Sequence, residues 1–143
     1  MATKFSEVYA LFYGQIDDYE LGSLSREDLA LVADKYLVNS LLTIQDTVTD
    51  IFDIDIEDKQ FNSTLEYPEL MLLAKAMKLE WVKEKKYSEE LMRKSIGDRD
   101  YKAVQGYSYL AHLGDVEKHL EKEIKTQLIR LSYRASIRGR SLI

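Results

Sequence analysis

From Leu70 to Val82 the chain places apolar residues on nearly every side of one helix, which constrains its fold more than any other feature. Leu70, Leu73, Ala74, Met77 and Trp81 recur at helical spacing, and Met71, Leu72, Ala76, Leu79 and Val82 fill the positions between them. A helix apolar over most of its circumference needs neighbours on several sides. Pro68 suits its first turn, where the missing amide would have no intrahelical partner, and polar residues return only at Lys83 to Lys86. The sequence therefore predicts a bundle with this helix at its centre and Leu73, Met77 and Trp81 in the core.

The flanking segments supply the neighbours. Phe5, Val8, Tyr9, Phe12 and Ile16 mark a short amphipathic helix with Thr3 or Ser6 near its start. Ser25 is a candidate N-cap for a second helix, with Glu27 and Asp28 in the first turn where the helix dipole favours them. Its stripe of Leu29, Val32, Ala33, Tyr36, Leu37, Ser40, Leu41 and Ile44 is wide enough for two neighbours. Between Val48 and Phe61 isoleucines partly alternate with aspartates, which predicts a loop with room for a short strand. Ser88, followed by Glu89 and Glu90, predicts a new short helix ending near Ile96 at Gly97, a favourable C′ residue. From about Tyr101 a last long helix carries Val104, Leu110, Leu113, Val116, Leu120, Ile124, Leu128 and Leu131, loosened in its first half by Gly106 and Gly114. The expected fold class is all-α: four to five helices in one domain over 1–135, Leu113 and Leu120 in the core, and an extended basic tail over 136–143.

Composition narrows the class further. One proline and six glycines in 143 residues, 45% of them hydrophobic, disfavour both a disordered chain and a turn-rich sandwich. With no cysteine there is neither a disulfide framework nor a thiolate metal site, and an intracellular setting is expected. The opening residues lack the basic and apolar regions of a secretory signal, and no uncharged apolar run is long enough to cross a membrane, so no membrane partner is expected. A net charge of −5 argues against a general nucleic-acid coat. That average hides an asymmetry: 44–58 holds six acids and no base (Asp46, Asp50, Asp53, Asp55, Glu57, Asp58), whereas 125–143 holds five bases and no acid. Segments so opposed in charge can attract one another or a neighbouring molecule.

The constellations that carry chemistry are weak. The acidic run lacks the glycine and closing glutamate of a calcium loop. His112 and His119 lie two helical turns apart, about 10 Å, too far to share a metal. No serine sits in a nucleophile-elbow setting and no glycine-rich phosphate loop occurs. Neither an enzymatic activity, a metal nor a cofactor is expected. The ten tyrosines suit half-buried core positions, or an interface for a few. The basic tail has three readings: a frayed solubilising end, a phosphate-contacting arm, or a segment that folds on a partner.

A set of residues across two thirds of the chain resembles the head–tail connector or adaptor (head-completion) proteins of tailed bacteriophages. They are Phe61-Asn62, Leu65, Glu69, Leu73-Ala74, Met77 and Glu80-Trp81, then Gly97-Asp98, Asp100-Tyr101-Lys102 and Leu110-Ala111-His112-Leu113, extended by Arg130 to Arg134. The chain departs from that pattern after the tryptophan, where Lys83 to Lys86 replace a proline frequent in relatives. The resemblance implies a non-enzymatic virion subunit of the neck, made in the host cytoplasm. Such a subunit forms a ring, often of twelve copies, below the portal protein and joins the DNA-filled head to tail or tail-completion proteins. DNA would pass through the channel without sequence-specific binding. It further implies a terminal arm that reaches the portal or a neighbouring copy, here Arg130, Arg134, Arg138, Arg140, Leu142 and Ile143, with the acidic segment as counterpart or tail-facing surface. The rival readings are a tail terminator or another neck subunit of the same virion, and a cytoplasmic helical regulator binding one protein partner.

Overall fold

A computed structural model of the protein describes residues 2–16, 22–44 and 54–137. The elements run β1 (Thr3–Lys4), α1 (Phe5–Tyr13), α2 (Arg26–Ile44), β2 (Ile54–Asp55), β3 (Gln60–Phe61), α3 (Tyr67–Ile96), α4 (Asp98–Ala103) and α5 (Gly106–Ile137). Helices dominate, as the sequence predicts, and α3 is the element against which α1, α2 and α5 all pack. At 1.5 Å per residue, α3 and α5 are about 45 and 48 Å long.

The centre forms as the apolar pattern requires. From Glu69 to Val82 no residue of α3 is exposed, and Leu72, Leu73, Ala74, Ala76, Met77, Leu79 and Val82 are buried. Around them lie Val8 and Phe12 of α1, Ala33, Leu37 and Ile44 of α2, and Leu113, Leu120, Ile124 and Leu131 of α5. Trp81 is half-buried at the edge of this core, with Lys85 Nζ 6.0 Å from its ring centroid. At the start of α3 the Glu69 side chain accepts a hydrogen bond from the Glu66 amide at 3.2 Å, with Pro68 in the first turn. Ser25 caps α2 as predicted, its Oγ accepting from the Asp28 amide at 3.2 Å.

The N-terminus differs from expectation. Thr3 does not start a helix; it lies in β1, pairing with Phe61 of β3, while Ile54 of β2 pairs with Phe61 from the other side. Its hydroxyl donates to the Ser63 carbonyl at 3.1 Å and accepts from the Leu65 amide at 2.8 Å, satisfying buried backbone that a two-residue strand cannot reach. The predicted short strand before Phe61 is therefore a hairpin in a small antiparallel sheet of order β1-β3-β2; 45–53 lie outside the described residues. Phe61 anchors this sheet, packing edge-on against Phe5 with ring centroids 5.0 Å apart.

Two helix boundaries also move. Ser88 does not begin a helix; α3 runs through it without a break to Ile96. The stretch from Lys83 to Tyr87 contains no glycine or proline to stop the ladder, and an N-cap residue has nothing to cap while its own amide continues the helix. Gly97 then ends α3 at φ 88°, its amide donating to the Arg93 carbonyl at 3.0 Å. The last helix does not begin at Tyr101 but is split into α4 and α5 at Val104-Gln105, where Gln105 takes φ 59°. The α5 helix extends to Ile137, two residues into the expected tail, and 138–143 lie outside the described residues.

Tyr101 decides this corner. Its ring is fully buried, its hydroxyl donates to Glu89 at 2.8 Å, and Tyr107 packs edge-on at 5.0 Å. Burial first, then the bond to Glu89, pushes the hydroxyl up to about 12. Gly106 faces that ring: a Cβ there would lie 2.4 Å from it. Gly114, by contrast, has open space around its position in the same helix. Gly106→Ala should therefore destabilise the protein by about 1–3 kcal/mol through overpacking, whereas Gly114→Ala should stabilise it by about 0.5–1 kcal/mol. Urea unfolding of the two variants checks the pair.

Candidate functional site

The antiparallel packing of α3 on α5 leaves a groove along one side. Its widest part, about 420 Å³, lies between the first turns of α3 and the last of α5, lined by Tyr67, Pro68, Met71, Leu72, Leu131 and the cations Lys75 and Arg130. Lys75 also borders two adjoining clefts of about 290 and 360 Å³, the first edged by Lys122 and the second by Lys78, His112 and Asp115. The groove exists because helices joined at the α4 corner bury only one stripe of α5 against α3.

Within it Lys75 Nζ stands 2.7 Å from Glu123, and His119 reaches the same carboxylate. The hydrogen bond from Lys75 is the main cause holding the Glu123 carboxyl below the usual carboxylate range. A depressed carboxyl adds stability above its unfolded value, lost as pH falls through the folded one. His112 and His119 thus border one cleft; among the described residues, no group of three or more His, Cys, Asp or Glu is placed to hold a metal ion.

The acidic segment is seen only at its end, where Ile56–Lys59 turn between β2 and β3. Asp55 builds the turn: its Oδ1 accepts from the amides of Glu57 at 3.1 Å and Asp58 at 3.2 Å. Glu57 and Asp58 are exposed, as is Ile56 between them and the strand, at 73%. Lys59, at φ 50°, points its ammonium to Asp34 Oδ2 of α2 at 3.0 Å, while Asp34 Oδ1 accepts from the Tyr9 hydroxyl of α1. One carboxylate thus ties α1, α2 and the hairpin together, and burial, with Asp34 beside it, raises the Tyr9 hydroxyl well above its ordinary range. Asp46, Asp50 and Asp53 lie outside the described residues.

Of the expected basic arm, Arg130 is exposed at the mouth of the groove and Arg134 falls in the last turns of α5; Arg138, Arg140, Leu142 and Ile143 lie outside the described residues. Compared with known families, curated proteins and solved structures, the chain matches none.

One surface escaped the sequence reading, and a second was read only through its tyrosines, Tyr107 and Tyr109. On α2, Leu31, Val38 and Leu42 are more than half exposed, seven and four residues apart on the side away from the buried stripe. At the far end of the hairpin Tyr87, Leu91, Met92 and Ile96 are exposed around α3, and Val104, Tyr107 and Tyr109 are exposed beyond the α4 corner. The three residues on α2 share one helix face, the arrangement through which a helix meets another protein. The signal for the α2 face was present, since the spacing 31, 38, 42 is itself helical; it was hidden by the stronger stripe on the other side. Asp34→Ala, which removes the acceptor for Tyr9 and the partner of Lys59, should lower stability by about 1–3 kcal/mol. Hydrogen exchange should then quicken at 54–61 while the amides of 69–82 stay the slowest in the chain.

Proposed function

We propose that this chain is a structural subunit of a tailed-bacteriophage neck, a head–tail connector that forms a ring below the portal protein and acts by assembly. The observation that carries the reading is the exposure of apolar residues on the outer face of α2 and at the α3–α4–α5 end, outside the core cluster that the described helices build. A ring subunit needs two unlike lateral contacts as well as contacts above and below, and a rigid helical hairpin about 45 Å long can present all of these at fixed spacing. The residue pattern that resembles connector proteins favours the same reading, with Leu73, Met77 and Leu113 in the α3–α5 core and Gly97 and Tyr101 at its corner. No helix among the described residues is long and apolar enough to cross a membrane.

In this reading the basic end of α5, from Arg130 onward, meets the portal or a neighbouring copy, and tail-completion proteins bind the opposite side of the ring. A chain ending at Ser132 keeps Leu131, the last buried residue of α5 that the structure describes. It should fold, losing by circular dichroism only the helical signal of the deleted 133–137, yet fail to co-sediment with portal-bearing heads. Docking at the wild-type level by this truncated chain contradicts the assignment of the arm.

A further inference from the structure

We propose that copies of this chain join head to tail, with the β2–β3 turn of one copy seated in the α3–α5 groove of the next. The inference rests on the assembly reading above and names the contact through which a ring would close.

The turn is built as a small projection. Asp55 spends its carboxylate on the turn amides and Lys59 is held to Asp34, so what the tip offers outward is the apolar Ile56 with two carboxylates, Glu57 and Asp58. Ile56, at 73%, is the most exposed large apolar side chain among the described residues, and it stands on a braced turn. The groove is its complement. Met71, Leu72 and Leu131 give it an apolar floor, Tyr67 and Pro68 a wall, and Arg130 a positive edge. The adjoining cleft extends that edge with Lys122, while Lys75 and Glu123 offset each other in an ion pair between them. Positive groove against negative turn fixes the orientation of approach and disfavours turn against turn or groove against groove.

Topology makes the contact repeat. The widest part of the groove is lined by α3 and α5 alone, with no residue of the sheet, so one copy can give its turn to one neighbour while accepting the turn of another. A contact between two different patches is heterologous, and repeated with a constant rotation it closes a ring or continues as a filament. An isologous pairing through the apolar face of α2 would stop at two copies.

The chain contains no cysteine, which allows a direct test with the full-length protein. Protein carrying Ile56→Cys is mixed under mild oxidation with protein carrying Gln127→Cys, a residue lining the groove. The mixed disulfide should form about tenfold faster than in a control mixture of Ile56→Cys with Ala10→Cys, an exposed residue of α1 that belongs to none of the surfaces above. Adding Glu57→Lys and Asp58→Lys to the first protein should cut the yield about tenfold, and adding Lys122→Glu and Arg130→Glu to the second should restore it. A mixed disulfide no faster than the control, Ile56→Cys homodimers as the main product, or failure of the paired reversals to rescue would each overturn the contact. The measurement involves no portal protein. Loss of cross-linking with retained docking to heads defeats this contact alone, and cross-linking without docking defeats the connector reading alone.

Discussion

Burial of α3 between Glu69 and Val82 is the constraint on which the rest of the structure depends. Fourteen consecutive residues without an exposed side chain require packing partners around the helix, and the chain provides α1 and α2 before it and α5 after it. Leu73, Ala74 and Met77 sit at the meeting of these partners with no exposure, and a large-to-small change at such a site costs about 2–5 kcal/mol. Even the charged residues of this stretch conform. Lys75 lies with its stem along α5 and its ammonium on Glu123, so its charge is retained beside the core.

Because α3 takes most of the packing, the other helices are left with outward faces. The second helix turns Leu31, Val38 and Leu42 away from the core, and α5 offers a groove on one flank. Beyond Val82, α3 continues for fourteen residues to Ile96, held to α5 by Lys86 and Glu117 at 3.5 Å and to α4 by Tyr101 and Glu89. That extension carries much of the exposed apolar area at the far end. A core that closes on itself, with apolar surface left on helices outside it, is the arrangement that underlies the assembly proposal.

The central helix, its start at Pro68, the caps at Ser25 and Gly97, and most of the core were legible in the sequence because each follows from local periodicity or a local hydrogen bond. What was not legible came from contacts between distant residues. Thr3 reads as a helix start until Ser63 and Leu65, some sixty positions away, claim its hydroxyl. Ser88, with Glu89 and Glu90 behind it, reads as a cap, but 83–87 hold no residue that stops a helix and the distant Tyr101 holds this turn through Glu89. The split at Gln105 follows from the Tyr101 ring closing over Gly106, a contact that no propensity encodes. The groove was invisible for the same reason: Arg130 was singled out for its charge, but its neighbours Tyr67, Met71 and Lys75 belong to another helix. The residues of the acidic and basic ends were legible as charge, and Asp55 alone among those described has a turn-building role that charge does not predict.

The central claim is that this helical hairpin is a ring subunit of a virion neck. Electron cryomicroscopy of virions from cells expressing this chain, joined to mass spectrometry of the purified particles, tests it most directly. The account predicts the chain among the virion proteins and a ring of antiparallel helix pairs about 45 Å long directly below the portal. Particles that lack the chain, or a neck whose density has no place for such a helix pair, would contradict it.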